Sequence, residues 1–271
     1  MILKDFFSFT NNRQIWRVIP ADDKLIIEER DTEAKVAFFN CVSLSNGSRI
    51  LDSFQPEEKF WTGIEAVKDN IIYFHNFEKP DMPSHRSVIA FSLIEKKILW
   101  QNQDLKFSFL LGNFIYCYRE SFEGRKFFAL DRITGKMVEE LKDENIIKSL
   151  QQKANQEVLY PGCLFPQSFS FAELSEAEEV WFAQFKNENI PIGEPEFIRY
   201  SNYTFFNFHK INDDGTLKNI FRVVNYLENK NIFEEILNDK INAIVPDSFF
   251  IKDDLLFLLK EKSELKAYKI S

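Results

Sequence analysis

The sequence predicts a mainly β repeat fold, a propeller of about five four-stranded blades, and three observations predict it. First, a segment recurs: Val88–Asn102, two apolar runs joined by a short polar turn, returns as Phe127–Leu141. Aligning Ala90-Phe91-Ser92 with Ala129-Leu130-Asp131 also superposes Lys97 on Lys136, and a shift of 88 places Val42 on Leu130 and Gly47 on Gly135. Second, strand-like runs group in fours over about forty residues, the period of propeller blades. Third, the last group is one strand short while the N-terminus holds a spare. Pairing that spare with the last group makes a composite blade and removes two open sheet edges.

In chain order, the first unit reads Ile15–Ile19, Lys24–Glu29, Lys35–Leu44 and Ile50–Phe54. Pro20-Ala21-Asp22-Asp23 is a good turn, and Asn46-Gly47 predicts a type I′ hairpin. The second unit is Thr62–Val67, Ile71–Phe77, Ser87–Leu93 and Ile98–Gln101, with a long excursion over Glu78–Arg86. Phe107–Leu111, Phe114–Arg119, Lys126–Asp131 and Met137–Leu141 form the third.

The pattern then breaks. Lys142–Glu157 predicts a helix, with Ile146, Ile147, Leu150 and Ala154 on one face and Asp143 and Glu144 at its favourable end. Leu159–Phe171 reads as an irregular loop. Leu174–Phe185 fits a helix better than a strand, because Ser175 and Glu178 resemble a capping box. Residues 142–194 hold four Lys/Arg and nine Asp/Glu, so they carry −5 of the chain's net charge of −8 and read as an insertion within one domain. Were degenerate copies hidden there, the blade count would rise to six or seven. A fourth unit follows at Phe197–Tyr200, Tyr203–Lys210, Ile220–Tyr226 and Ile232–Ile236. The last has Ala243–Val245 with Phe249–Phe250, then Leu255–Lys260 and Leu265–Ile270, and the spare strand is Ile2–Phe9.

Composition narrows the function. Thirty of 271 residues are Phe and only eight Gly, which suits sheets packed face to face. The pI near 5.2 and the lack of basic runs argue against a nucleic-acid partner. No apolar stretch reaches the roughly 18 residues of a membrane span, and the first residues lack a signal-peptide pattern, so the expected location is cytoplasmic. Cys41 and Cys117 lie in strand-like runs and read as small buried thiols, while Cys163 lies in a Pro-Gly loop; with no Cys-x-x-Cys, no disulfide, metal or cofactor role is expected.

The stretches AFSLIEKKILW (Ala90–Trp100) and ALDRITGKMV (Ala129–Val138) resemble the Ala-Leu-Asp-x-x-Thr-Gly-Lys-x-x-Trp signature of pyrroloquinoline-quinone-type propeller repeats. Phe91-Ser92 and Ile94-Glu95-Lys96 depart from it in one unit, and the other lacks the Trp. The resemblance implies the fold and no quinone. Trp61–Phe91 and Ile244–Leu265 are similar to a family of uncharacterised bacterial proteins of about this length, which brings no function with it.

Candidate site residues concentrate in the second unit. Glu65, His75 and His85 are the candidate acid–base groups. If Thr62–Val67 is innermost, Glu65 points into a central channel, where burial would raise its pKa. The competing reading makes Glu65 an exposed strand residue and His85 with Arg86 a solvated loop tip. Trp61, Glu65, Asp81, Arg86 and Trp181 are the candidate ligand-binding residues. The histidines lack the short fixed spacing of a metal site, so no metal is expected. His209 reads as a surface cross-strand residue, and Trp100 as core. No nucleophile-elbow, phosphate-loop or zinc-protease motif occurs. The expected function is therefore non-catalytic: a protein or small ligand bound on a loop face or on the insertion, with its Phe and Trp exposed. A carbohydrate-active hydrolase or lyase with channel carboxylates is the alternative.

Overall fold

A computed structural model describes residues 1–79, 82–168 and 176–271. It divides into two compact units: Met1–Ile15 with Gly162–Ser271, and Trp16–Pro161. Both are built from antiparallel sheets, and the described residues contain five of them.

The Trp16–Pro161 unit contains three four-stranded meanders, except that the first strand begins two residues earlier, at Gln14. The first is β2 (Gln14–Ala21), β3 (Lys24–Asp31), β4 (Val36–Ser43) and β5 (Arg49–Phe54). The second is β6 (Thr62–Lys68), β7 (Ile71–Lys79), β8 (Met82–Ser92) and β9 (Lys97–Asn102). The third is β10 (Lys106–Leu111), β11 (Phe114–Ser121), β12 (Gly124–Asp131) and β13 (Met137–Leu141). After it comes α1 (Glu144–Gln156), whose cap Asp143 accepts a 2.8 Å bond from the Asn145 N–H. Its buried Ile147 packs with Phe109, Tyr116 and Leu141.

The other unit has two five-stranded sheets. One orders β15 (Gln167–Ser168), β16 (Ile192–Tyr200), β17 (Tyr203–Ile211), β18 (Leu217–Asn225) and β19 (Lys230–Ile241). In the second, β1 (Leu3–Thr10) pairs with β22 (Glu264–Ile270), followed by β21 (Leu255–Lys260), β20 (Phe249–Lys252) and β14 (Cys163–Leu164). The expected composite sheet is therefore present, with Leu3 opposite Ile270 and Thr10 opposite Glu264.

Several expectations need correction. The excursion Glu78–Arg86 is not a loop: β7 runs to Lys79 and β8 begins at Met82, with Phe77 opposite His85. Ala243–Val245 is not a strand, because the Val245 N–H donates to His209 Nε2 at 3.1 Å instead of joining a ladder. The loop over Leu159–Phe171 contributes the short edge strands β14 and β15. A helix does occupy the second ambiguous stretch, as α2 (Glu176–Asn189); Ser175 lies outside the described residues. Its aromatic residues are not exposed. Trp181, Phe182 and Phe185 are buried against Phe206 and Phe208, since their spacing makes one stripe along the helix.

The repeat is carried by a turn. In five hairpins a side-chain oxygen at position i accepts from backbone N–H groups two or three residues on, and residue i+4 is left-handed. Position i is Asp31, Ser43, Ser92, Asp131 and Asn225. Position i+4 is Lys35, Gly47, Lys96, Gly135 and Asn229, with φ from +48° to +70°. The copies 88 residues apart share their backbone bonds: Gly47 N to Ser43 O at 2.9 Å, and Gly135 N to Asp131 O at 2.8 Å. Asn46 has no positive φ, so this is a longer loop than the expected type I′ turn.

His209 is a further correction, being 3% exposed rather than at the surface. Burial holds its pKa below the usual 6.5. A base whose folded pKa is depressed contributes stability that is present above the unfolded value and lost as pH falls through the folded one. The melting temperature is therefore expected to fall between pH 7 and pH 5. His209→Gln, which keeps an acceptor for Val245, is expected to show a shallower fall; equal slopes would refute this.

Candidate functional site

The second meander builds the site. Its strands are rich in β-branched and aromatic residues, and their inner faces enter two cores. Ile64, Ile72, Phe74, Ile89 and Phe91 pack with Phe39 of the first meander, while Tyr73, Val88 and Ala90 pack with Ile115 and Cys117 of the third. Successive residues therefore serve opposite faces.

On one face the register places three candidates together. Gly63 lies opposite His75, and Phe77 opposite His85. The β6–β7 pairing steps from Ile64 with Phe74 to Ala66 with Tyr73, leaving Glu65 as the extra residue of a bulge, which re-aims its side chain. Glu65 Oε1 lies 2.8 Å from His85 Nδ1 in a hydrogen bond and 3.1 Å from His75 Nδ1. The second approach is off the hydrogen-bonding direction, and both ring nitrogens of His75 are buried without a hydrogen-bond partner among the described residues. It is a close polar approach, not a directed bond. The imidazoles stack at 3.6 Å, only 9° from parallel, and Phe77 abuts both through edge contacts at 4.9 and 5.3 Å.

Electrostatics reverse one expectation. Burial pushes the Glu65 pKa up and is the largest single influence, but the two imidazoles together hold it below the usual 4.5. Glu65 is thus an ionised carboxylate between imidazoles, not a raised general acid. Burial, outweighing the attraction of Glu65, lowers the His75 pKa and keeps that ring neutral. Cys117 is fully buried and its thiol is pushed up to about 12 by burial and then by the Glu65 charge, so it remains an inert thiol.

On the other face lies a cleft of about 230 Å³. Phe54, Phe74, Ile89 and Phe91 line its apolar part, and Asn76, Arg86, Glu57 and Gln101 its polar part. Asn76 Oδ1 is buried and accepts no hydrogen bond from the described residues. Among the described residues Arg86 makes no hydrogen bond or ion pair, and it is exposed on a strand rather than at a loop tip.

The remaining candidates are elsewhere. Trp61 is half-buried, braced edge-on by Phe60 at 5.0 Å and Phe77 at 6.3 Å, one ring away from the imidazoles. Asp81 lies outside the described residues. Trp181 belongs to the other unit, 8% exposed, and only borders a polar cleft of about 200 Å³ whose Arg222 is held by Glu234 at 2.7 Å. Sequence reasoning missed Asn76. Its signal would have been the alternation along β7, which sends Phe74 and Asn76 to one side and His75 to the other.

Residues 18–100 match the family described as Domain of unknown function (DUF4905), less than a third of the chain. A search of curated proteins gave no match. Similar solved structures include the uncharacterized protein lmo1340 from Listeria monocytogenes EGD-e, 11% identical over 92% of this chain and 75% of that one, with a TM-score of 0.33. The β-propeller domain of the Trilobed protease from Pyrococcus furiosus is 9% identical over 96% of this chain and 69% of that one, at 0.34. The Dos1 propeller is 9% identical over 98% and 95%, at 0.38. At scores this low none of these likenesses carries an argument about ligand or activity.

Proposed function

We propose that the chain is a non-catalytic, propeller-type repeat protein that binds a small zwitterionic ligand with an apolar body in the cleft over Phe54, Phe74 and Phe91. The observation that carries this reading is the buried, unsatisfied Asn76 Oδ1 on the cleft wall, beside an exposed Arg86 guanidinium that makes no hydrogen bond or ion pair among the described residues. Leaving a buried acceptor unpaired costs about 1–3 kcal/mol, and native proteins tolerate this where a ligand supplies the partner. An ammonium group satisfies Asn76, with Glu57 nearby, and a carboxylate satisfies Arg86. The volume of about 230 Å³ lies below the ~300–1,000 Å³ usual for drug-sized ligands, which favours an occupant of amino-acid size.

The hydrolase alternative needs paired carboxylates, and the close partners of Glu65 are imidazoles. Calorimetric titration with L-leucine and L-phenylalanine, beside their N-acetyl and amide derivatives, tests the proposal. Saturable binding of the free amino acids, weaker for both derivatives and weakened at least about tenfold by Arg86→Ala, is expected. Absence of binding up to millimolar concentrations, or indifference to Arg86→Ala, would overturn it.

A further inference from the structure

We propose that Glu65, His75 and His85 form a binding site for a divalent first-row transition-metal ion, with Zn²⁺ as the expected occupant. The site is separate from the cleft, on the opposite face of the same strands, and it stands or falls independently.

Geometry comes first. One donor atom from each residue can be chosen so that all lie within 4.8 Å of one another, and the two donor distances to Glu65 Oε1 are 2.8 and 3.1 Å. Around a tetrahedral Zn²⁺ with bonds of about 2.0–2.1 Å, ligand atoms sit about 3.3–3.4 Å apart. The two distances to Glu65 Oε1 have to open by a few tenths of an ångström, and the stacked rings have to splay so that a nitrogen of each faces the ion. The ion would replace the proton between His85 Nδ1 and Glu65 Oε1, that proton leaving to His85 Nε2 or to solvent.

Burial is the second observation. The His75 side chain is 5% exposed, yet neither ring nitrogen has a hydrogen-bond partner among the described residues, which is costly for a side chain with no ligand to serve. Space is reserved for this ring: a Cβ on Gly63 would lie 2.8 Å from its Cε1 and 3.0 Å from its Nε2. Phe77 braces both imidazoles, fixing donors on a sheet rather than a loop. His85, with its side chain 40% exposed, leaves one side open to water as a fourth ligand.

The donor set selects the ion. Two imidazoles and one carboxylate suit zinc and its first-row neighbours, whereas calcium and magnesium prefer oxygen alone. The Arg17 guanidinium nearby is occupied, donating to Ile64 O at 2.7 Å and facing Glu28 at 3.6 Å, so the Glu65 charge remains for the ion.

The full chain, stripped with chelator, is to be titrated with ZnCl2 and separately with MgCl2 by calorimetry, and with CoCl2 by visible absorption. One equivalent of Zn²⁺, tetrahedral Co²⁺ bands displaced by Zn²⁺, and no Mg²⁺ heat are expected. His85→Ala and the shape-conserving Glu65→Gln are each expected to weaken Zn²⁺ at least about tenfold and to remove the Co²⁺ bands. His209→Gln, in the other unit, is expected to leave both unchanged. Lack of saturable Zn²⁺ binding, or Zn²⁺ bound as tightly by both site variants as by the unmodified chain, would overturn the proposal.

Discussion

A chain lacking residues 1–11 is expected to lose the cooperative unfolding of the unit that contains its C-terminus, and to aggregate. Strand β1 covers the edge of β22 along the pairs from Leu3–Ile270 to Thr10–Glu264, and without it that ladder ends in open N–H and C=O groups. Apolar burial is lost too. Phe9 is 1% exposed, Phe7 meets Phe257 ring to ring at 6.2 Å, and Met1 and Leu3 pack on the core of Phe221, Phe249 and Leu258. At about 1.5–3 kcal/mol for each fully buried large side chain, the loss is on the order of 5 kcal/mol, comparable with the whole stability of a domain. Adding a synthetic peptide of residues 1–11 is expected to restore solubility. A truncated chain with an unchanged urea midpoint would refute the argument.

Gly135→Val is expected to destabilise the Trp16–Pro161 unit by about 2–5 kcal/mol. Gly135 has φ +68°, and a Cβ there would lie 2.5 Å from Trp100 Cδ2 and 2.7 Å from its Cγ. Left-handed backbone costs an ordinary residue about 1–2 kcal/mol, and forced overpacking adds about 1–3. Retreat of Trp100 would strain the bond from its Nε1–H to Arg132 O at 3.1 Å, an acceptor shared with the Tyr73 hydroxyl. Gly112→Val is the control: its φ is +58° and nothing lies within 4 Å of the added atom, so it carries the backbone cost alone. Equal melting-point losses for the two variants would remove Trp100 from the explanation.

These residues also show what was legible in advance. Gly47 and Gly135 betrayed the recurring turn, since glycine marks left-handed backbone. Lys35, Lys96 and Asn229 hold the same conformation without that mark, so the repeat reads faintly in those hairpins. The spare N-terminal strand could be placed because strand counting left it over and an unpaired edge is costly. The juxtaposition of His75 and His85 was hidden. Pro80, Asp81 and Pro83 suppress every strand cue between them, while the ladder continues on both sides with Phe77 opposite His85. Burial was the other blind spot. The stripe of Trp181, Phe182 and Phe185 is visible in the sequence, but whether partner or core covers it depends on Phe206 and Phe208, which follow two dozen positions later.

The antiparallel seam between β1 and β22 has a mechanical corollary. Ile2 and Ser271 exchange backbone bonds of 2.7 and 3.0 Å, so both ends of the chain leave the seam from the same extremity. Tension applied through the two termini would load one rung at a time and peel the strands apart like adhesive tape, at low force. Joining the same termini with a few residues would instead lock the seam, and new ends could then be opened at any exposed hairpin without disturbing the β7–β8 ribbon.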